Sequence, residues 1–79
     1  MYTVYILHSG KHDKIYIGYT SSLDQRLRSH NELGKGWTRR YRPWRVIYTE
    51  EFETKAEAMV REKALKGGQG RAWIREHLI

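Results

Sequence analysis

Two different spacings of apolar residues divide the chain. Residues 2–8 (YTVYILH) and 14–20 (KIYIGYT) are rich in β-branched and aromatic types and bracket a short polar run, SGKHD. That combination predicts a β-hairpin. Within both runs the apolar residues are consecutive (Val4, Tyr5, Ile6, Leu7; Ile15, Tyr16, Ile17), the pattern of strands covered on both faces. After Ser21 and Ser22 the spacing becomes helical, with Leu23, Leu27 and His30 on one side and Ser22 and Gln25 placed as a capping box. A helix over about residues 22–33, stopped by Gly34, is expected.

The segment 34–43 (GKGWTRRYRP) has Gly, Pro and no periodicity, and is expected to be a loop. Residues 44–52 (WRVIYTEEF) then read as a third strand that starts just after Pro43, where a missing N–H matters least. Thr54 and Glu57 form a second capping box, opening a helix over 55–66 that ends at Gly67-Gly68. A short last helix over about 71–78 carries Trp73, Ile74 and Leu78. The order ββα-β-αα gives an α+β domain, a three-stranded, mainly antiparallel sheet flanked by helices. With 79 residues it is one domain, 1–79.

Composition narrows the function classes. No cysteine is present, which excludes disulfides, thiolate metal sites and cysteine nucleophiles. No stretch approaches the roughly 20 apolar residues of a membrane span, and the N-terminus lacks a basic leader pattern, so a soluble, cytoplasmic protein with no membrane partner is expected. Charge placement says more than its total. Between Arg26 and Arg45 stand seven basic residues against a single acid, Glu32, which accounts for the whole net charge of +6. Excess charge confined to one segment suits an anionic polymer such as nucleic acid.

Three groups of residues could carry chemistry. Arg26 and His30 are one turn apart beside the apolar stripe of the first helix; an arginine there can grip a phosphate in a bidentate geometry or lay its stem on the core with its head in water. On the second helix Glu62 falls in the apolar stripe of Ala58, Met59 and Leu65, where a carboxylate calls for a cation. Magnesium, which takes one carboxylate plus waters and substrate phosphates, is one candidate; a salt bridge to Arg26 or Arg61 is the other. Tyr5 and Tyr16 sit in the two hairpin strands and read by default as core tyrosines needing hydrogen-bond partners.

Taken in order along the chain, these residues resemble the GIY-YIG nuclease family, as found in excision-repair nucleases and homing endonucleases. The first motif stands as Val4-Tyr5-Ile6 and the second, literally, as Tyr16-Ile17-Gly18; Arg26 follows Tyr16 by ten residues, His30 comes one turn later, and Glu62 lies in EAMVRE. The chain resembles the small stand-alone bacterial branch. The resemblance implies a metal-dependent endonuclease that hydrolyses phosphodiester bonds, in DNA rather than RNA, with branched or damaged substrates in range. It further implies that Glu62 binds Mg²⁺ or Mn²⁺, that Arg26 clamps the phosphate, and that Tyr5, assisted by Tyr16 and His30, activates water. Whether Tyr5 or His30 is the general base stays open.

Lys35, Arg39, Arg40, Arg42 and Arg45, interleaved with Trp37, Tyr41 and Trp44, supply cations for phosphates and aromatic faces for bases. Trp37 and the basic residues are the expected nucleic-acid contacts; Trp44, at the start of a strand, fits the core equally well. A partner protein could supply target choice. Two other classes remain: a nucleic-acid-binding module with this fold and no catalysis, and an adaptor whose exposed aromatics dock a protein.

Overall fold

The computed structural model describes residues 1–33 and 40–79, with only the backbone of Glu32 and Leu33. Strands β1 (Tyr2–Ser9), β2 (Lys14–Thr20) and β3 (Arg45–Phe52) form one antiparallel sheet in the order β2-β1-β3. Helices α1 (Leu23–Arg28), α2 (Lys55–Lys66) and α3 (Gly68–His77) complete the α+β domain expected from the sequence. Among the described residues no helix is long and apolar enough to cross a membrane.

The consecutive apolar residues of β1 have the predicted consequence: Val4 through Ser9 are all buried. Pleating sends Val4 and Ile6 to one face, where they join Ile17 of β2, Ala58 and Leu65 of α2 and Ile74 of α3. Tyr5 and Leu7 point the other way, to Trp44, with Leu23 and Leu27 of α1 closing that side. A register shift between Ile6 and Leu7 lets both Ile47 and Tyr48 of β3 pack on the first cluster, while Val46 joins the second. Trp44 is core, and β3 begins one residue after it.

At the start of α1 the Ser22 side chain makes no capping bond, so the expected Ser22–Gln25 box is not formed. Thr20 instead fixes the Ser22 backbone from outside the helix, its Oγ1 accepting from the Ser22 N–H at 3.0 Å and donating to the Ser22 carbonyl at 3.2 Å. The predicted helix is also interrupted. It is α-helical only to Arg28 and continues as one π-helical turn, Ser29–Leu33. At α2 the Thr54–Glu57 box is complete in both directions. Its buried stripe is Ala58 and Leu65 with Arg61 and Glu62 half-buried between them; Met59, expected on this face, lies one position off it and is exposed.

The last helix starts three residues earlier than expected. Gly67 adopts extended rather than left-handed backbone, and its carbonyl accepts from the Arg71 N–H at 2.9 Å, so one glycine ends α2 and caps α3. Tight crossing of α2 and α3 then depends on Gly70, where an added Cβ would stand 2.5 Å from the carbonyl oxygens of Ala64 and Leu65. The far end of the hairpin is latched to α3. Asp13, at φ 51°, accepts from Arg75 Nη1 at 2.7 Å and pairs with His8 Nε2 at 3.2 Å. These two partners hold its carboxyl below the usual range.

Gly70→Ala must therefore push two helix backbones apart, and we expect a loss of about 3 kcal/mol. For a domain of this size that is a fall of at least ~10 °C in Tm. Gly68→Ala, which meets nothing within 4 Å, is the matched control and should be neutral or slightly stabilising. Thermal unfolding of the two variants beside the parent checks the contrast.

Candidate active site

β2 and the helices on either side of it border a cleft of about 610 Å³. Its walls carry Tyr5, Tyr16, Gly18, Arg26 and Glu62, so four of the five candidate catalytic residues meet in one place. His30, the fifth, stands directly behind: its Nε2 is 3.2 Å from the Tyr5 hydroxyl, and its ring lies 4.5 Å from that of Tyr16. These side chains come from β1, β2, α1, the π-helical turn and α2, and the two tyrosines converge because β1 and β2 are in register. Tyr5 pairs with Gly18 across the ladder and Leu7 with Tyr16, and residues facing the same side of neighbouring strands meet.

Gly18 explains how Tyr5 fits. A Cβ on Gly18 would lie 2.8 Å from the Tyr5 hydroxyl and 3.0 Å from the carbon that bears it. The absent side chain is thus the seat of the phenol. The π-helical turn after α1 has a similar positioning effect, because it aims His30 inward at Tyr5 while the next residue, Asn31, grips the chain leading into β3. Asn31 Oδ1 accepts from the Trp44 N–H at 2.6 Å, and its Nδ2 donates to the Trp44 carbonyl at 3.0 Å.

The interior of the site is neutral and its rim is charged. Burial is the main cause that pushes the Tyr5 phenol far above its ordinary range; neighbouring Tyr16 and Glu62 add to the effect and Arg26 opposes it. His30, also buried, is held below 6.5 first by desolvation and then by the Arg26 charge. Both groups are uncharged near neutral pH. Arg26 itself is exposed and makes no hydrogen bond or ion pair among the described residues. Glu62 is paired, but with neither arginine considered above: Lys66 Nζ lies 3.3 Å from Oε1, while Arg61 is taken by Glu50.

The donor set bears on the metal. Among the described residues no three His, Asp or Glu side chains cluster, which suits a hard cation that keeps most of its waters rather than one enclosed by protein. Glu62 on the cleft wall fits that mode as the single carboxylate, and a half-exposed i,i+4 partner such as Lys66 is worth only about 0.3–0.5 kcal/mol to displace.

The expected nucleic-acid contacts are placed differently. Arg40, Arg42 and Arg45 are exposed, and none lines the cleft; Arg42 donates to the Asn31 carbonyl at 3.0 Å. Lys35, Trp37 and Arg39 lie outside the described residues. Sequence reasoning overlooked Lys55, Tyr2, Tyr19, Gln25 and the hydroxyl run Thr20–Ser22, all on the cleft wall. Lys55 carried a readable signal: it occupies the first turn of a capped helix, where an acid would be favoured.

Two outcomes are expected. Gly18→Ala should displace Tyr5 and cost about 1–3 kcal/mol of stability by overpacking, measured by urea unfolding. Acidification should destabilise the fold through His30. Its folded-state pKa lies below its unfolded value, so the cost is absent above pH ~6.5 and grows as pH falls from there toward the lowered pKa. In a His30→Gln variant that part of the pH dependence should vanish from the unfolding curves.

The family model of the GIY-YIG catalytic domain matches residues 1–75. A UPF0213 protein of Bacillus velezensis is 48% identical over 56 residues, which cover 68% of this chain and 56% of that protein, so the chain spans little more than half of that relative's length. A UPF0213 protein of Oceanobacillus iheyensis is 43% identical over 65 residues, covering 80% of this chain and 73% of its own. The solution NMR structure of a UPF0213 protein from Bacillus halodurans superposes with a TM-score of 0.56 at 28% identity, covering 96% of this chain and 84% of that one. With its two tyrosines, arginine, histidine and glutamate gathered around one cleft, the chain belongs to the GIY-YIG catalytic domain family, among the UPF0213 proteins.

Proposed function

We propose that the protein is a metal-dependent endonuclease that hydrolyses phosphodiester bonds in nucleic acid, DNA rather than RNA, including branched or damaged DNA. One observation carries the reading: Tyr5, Tyr16, Arg26 and Glu62 line a single cleft with His30 hydrogen-bonded to Tyr5 from behind. Cytoplasmic action, and a partner protein that directs the enzyme to its target, belong to the same proposal.

Each residue then has a role set by its surroundings. Arg26, at the rim and unpaired among the described residues, binds the scissile phosphate and offsets the charge that develops on its oxygens. Glu62 would hold Mg²⁺ or Mn²⁺, which when bound supplies Lewis-acid polarisation of the phosphate and stabilises the leaving oxygen. Tyr5 lines the cleft and His30 stands behind it, so the phenol is placed between the cleft and the imidazole. With its pKa raised, Tyr5 is a poor base by itself. Neutral His30, in the tautomer whose Nε2 accepts from the Tyr5 hydroxyl, takes the phenol proton as Tyr5 takes one from the attacking water. A water oxygen–phosphorus bond forms, the phosphorus–leaving-oxygen bond breaks, and the proton comes to rest on His30. Tyr16, stacked at 6.1 Å from the Tyr5 ring, fixes the phenol's direction.

The pairing of Glu62 with Lys66 favours a second reading, a nucleic-acid-binding module without catalysis. Cleavage separates the two. The protein is incubated with single-stranded, duplex, flap and branched DNA and with RNA, in Mg²⁺ or Mn²⁺. We expect cutting of at least one DNA substrate, and a loss of 10²-fold or more in Glu62→Ala, Arg26→Ala and Tyr5→Phe. The parent rate should rise with pH through the titration of His30, and this acid limb should disappear in His30→Ala. If nothing is cut, or if the Glu62 and Arg26 variants cut as well as the parent, the catalytic reading fails.

A further inference from the structure

The cleft extends beyond the catalytic cluster. Along β2 it runs from Tyr16 past Gly18 to Thr20, about 13 Å at the rise of a strand. Register places the far end: Thr20 pairs with Thr3, and Tyr2 pairs with Phe52, three residues before Lys55. Tyr2, Tyr19, Thr20 and Lys55 therefore share that end, with Tyr5, Tyr16, Arg26 and Glu62 toward the other. Lys55 and Glu62 are seven residues apart on α2, two turns on the same face, about 10 Å along the axis.

Lys55 is not explained by the fold. It makes no ion pair and no side-chain hydrogen bond among the described residues, and it stands at the positive end of α2, where the macrodipole opposes a cation. Glu57 of the capping box, not Lys55, secures the helix start. What remains is a second cation, unpaired among the described residues, on a cleft wall rich in hydroxyls, about 10 Å along α2 from Glu62.

Resting on the nuclease reading, we infer that Lys55 forms a second phosphate subsite, holding the phosphodiester next to the one engaged by Arg26 and Glu62. Two cations at different points of one groove fix the line of the strand. The scissile phosphate is then presented in a set direction rather than merely attracted. Tyr2 and Tyr19, half-buried beside Lys55, border the space that the intervening nucleotide would fill.

Salt dependence of binding tests this apart from cleavage. Binding of a short single-stranded oligodeoxynucleotide is measured in EDTA over a range of NaCl for the parent, Lys55→Gln, Lys55→Arg and Lys63→Gln. Lys63 is exposed on α2 outside the cleft and controls for loss of one charge anywhere. Each phosphate contact contributes about 0.7 to the log–log slope for single strands. We expect Lys55→Gln to lose about that much and to bind several-fold more weakly, Lys55→Arg to keep the parental slope, and Lys63→Gln to change it little. Equal slopes in the parent and Lys55→Gln overturn the subsite, as do equal losses in Lys55→Gln and Lys63→Gln, and as does failure of the parent to bind. If the slope falls as expected while no substrate is ever cut, the subsite stands and the nuclease reading fails.

Discussion

Because β1 lies between β2 and β3 and is covered on both faces, none of its residues from Val4 to Ser9 has a wet side. In so short a chain that is the one strand around which two apolar layers can be built. Its alternate residues consequently divide the domain's tasks. Val4 and Ile6 anchor α2 and α3, while Tyr5 and Leu7 receive α1 and Trp44. A phenol placed at the second position of that strand's buried run becomes a fixed object, with its ring held by Gly18 on one strand and its hydroxyl by His30 on another element. The rigidity of the core is passed directly to the atom that faces the cleft.

The electrostatics follow from the same burial. At the described site the inner groups Tyr5 and His30 are both held neutral, and the ionic groups Arg26, Lys55 and Glu62 stand on the cleft wall. Proton transfer and phosphate binding are thereby assigned to different layers of one site. The inner pair can exchange a proton without separating charge across solvent, and the outer groups meet an anion without first breaking a buried ion pair.

Much of the fold was legible because its signals are local. The hairpin, β3 and the Thr54–Glu57 start of α2 each depend on neighbours within a few residues, and the register that unites Tyr5 with Gly18 follows from the hairpin itself. Arg26, His30 and Glu62 were legible through motif order. What escaped depends on contacts distant in sequence. The π-helical turn exists where His30 and Asn31 must satisfy Tyr5 and Trp44 at once. Met59 and Glu62 looked alike by spacing; only the angle at which α2 lies on the sheet exposes one and lines the cleft with the other. The partner of Glu62 was misjudged for a similar reason, since Arg61 is claimed by Glu50 of β3.

The latch between Asp13 and Arg75 joins residues 62 positions apart, so it connects the first element pair to the last helix across nearly the whole chain. A contact of that separation carries a high loop-closure cost and adds to the mean contact order that slows folding. The hairpin and the α2–α3 pair are local and can form before it. An exposed, solvent-screened ion pair contributes too little to hold such distant elements together by itself. Its effect is on geometry: with Asp13 at positive φ and both its side chain and carbonyl bound to one guanidinium, the tip of the hairpin is aligned with α3 once both are in place. The latch decides which way the hairpin points, and the buried strand beneath it decides whether the domain folds.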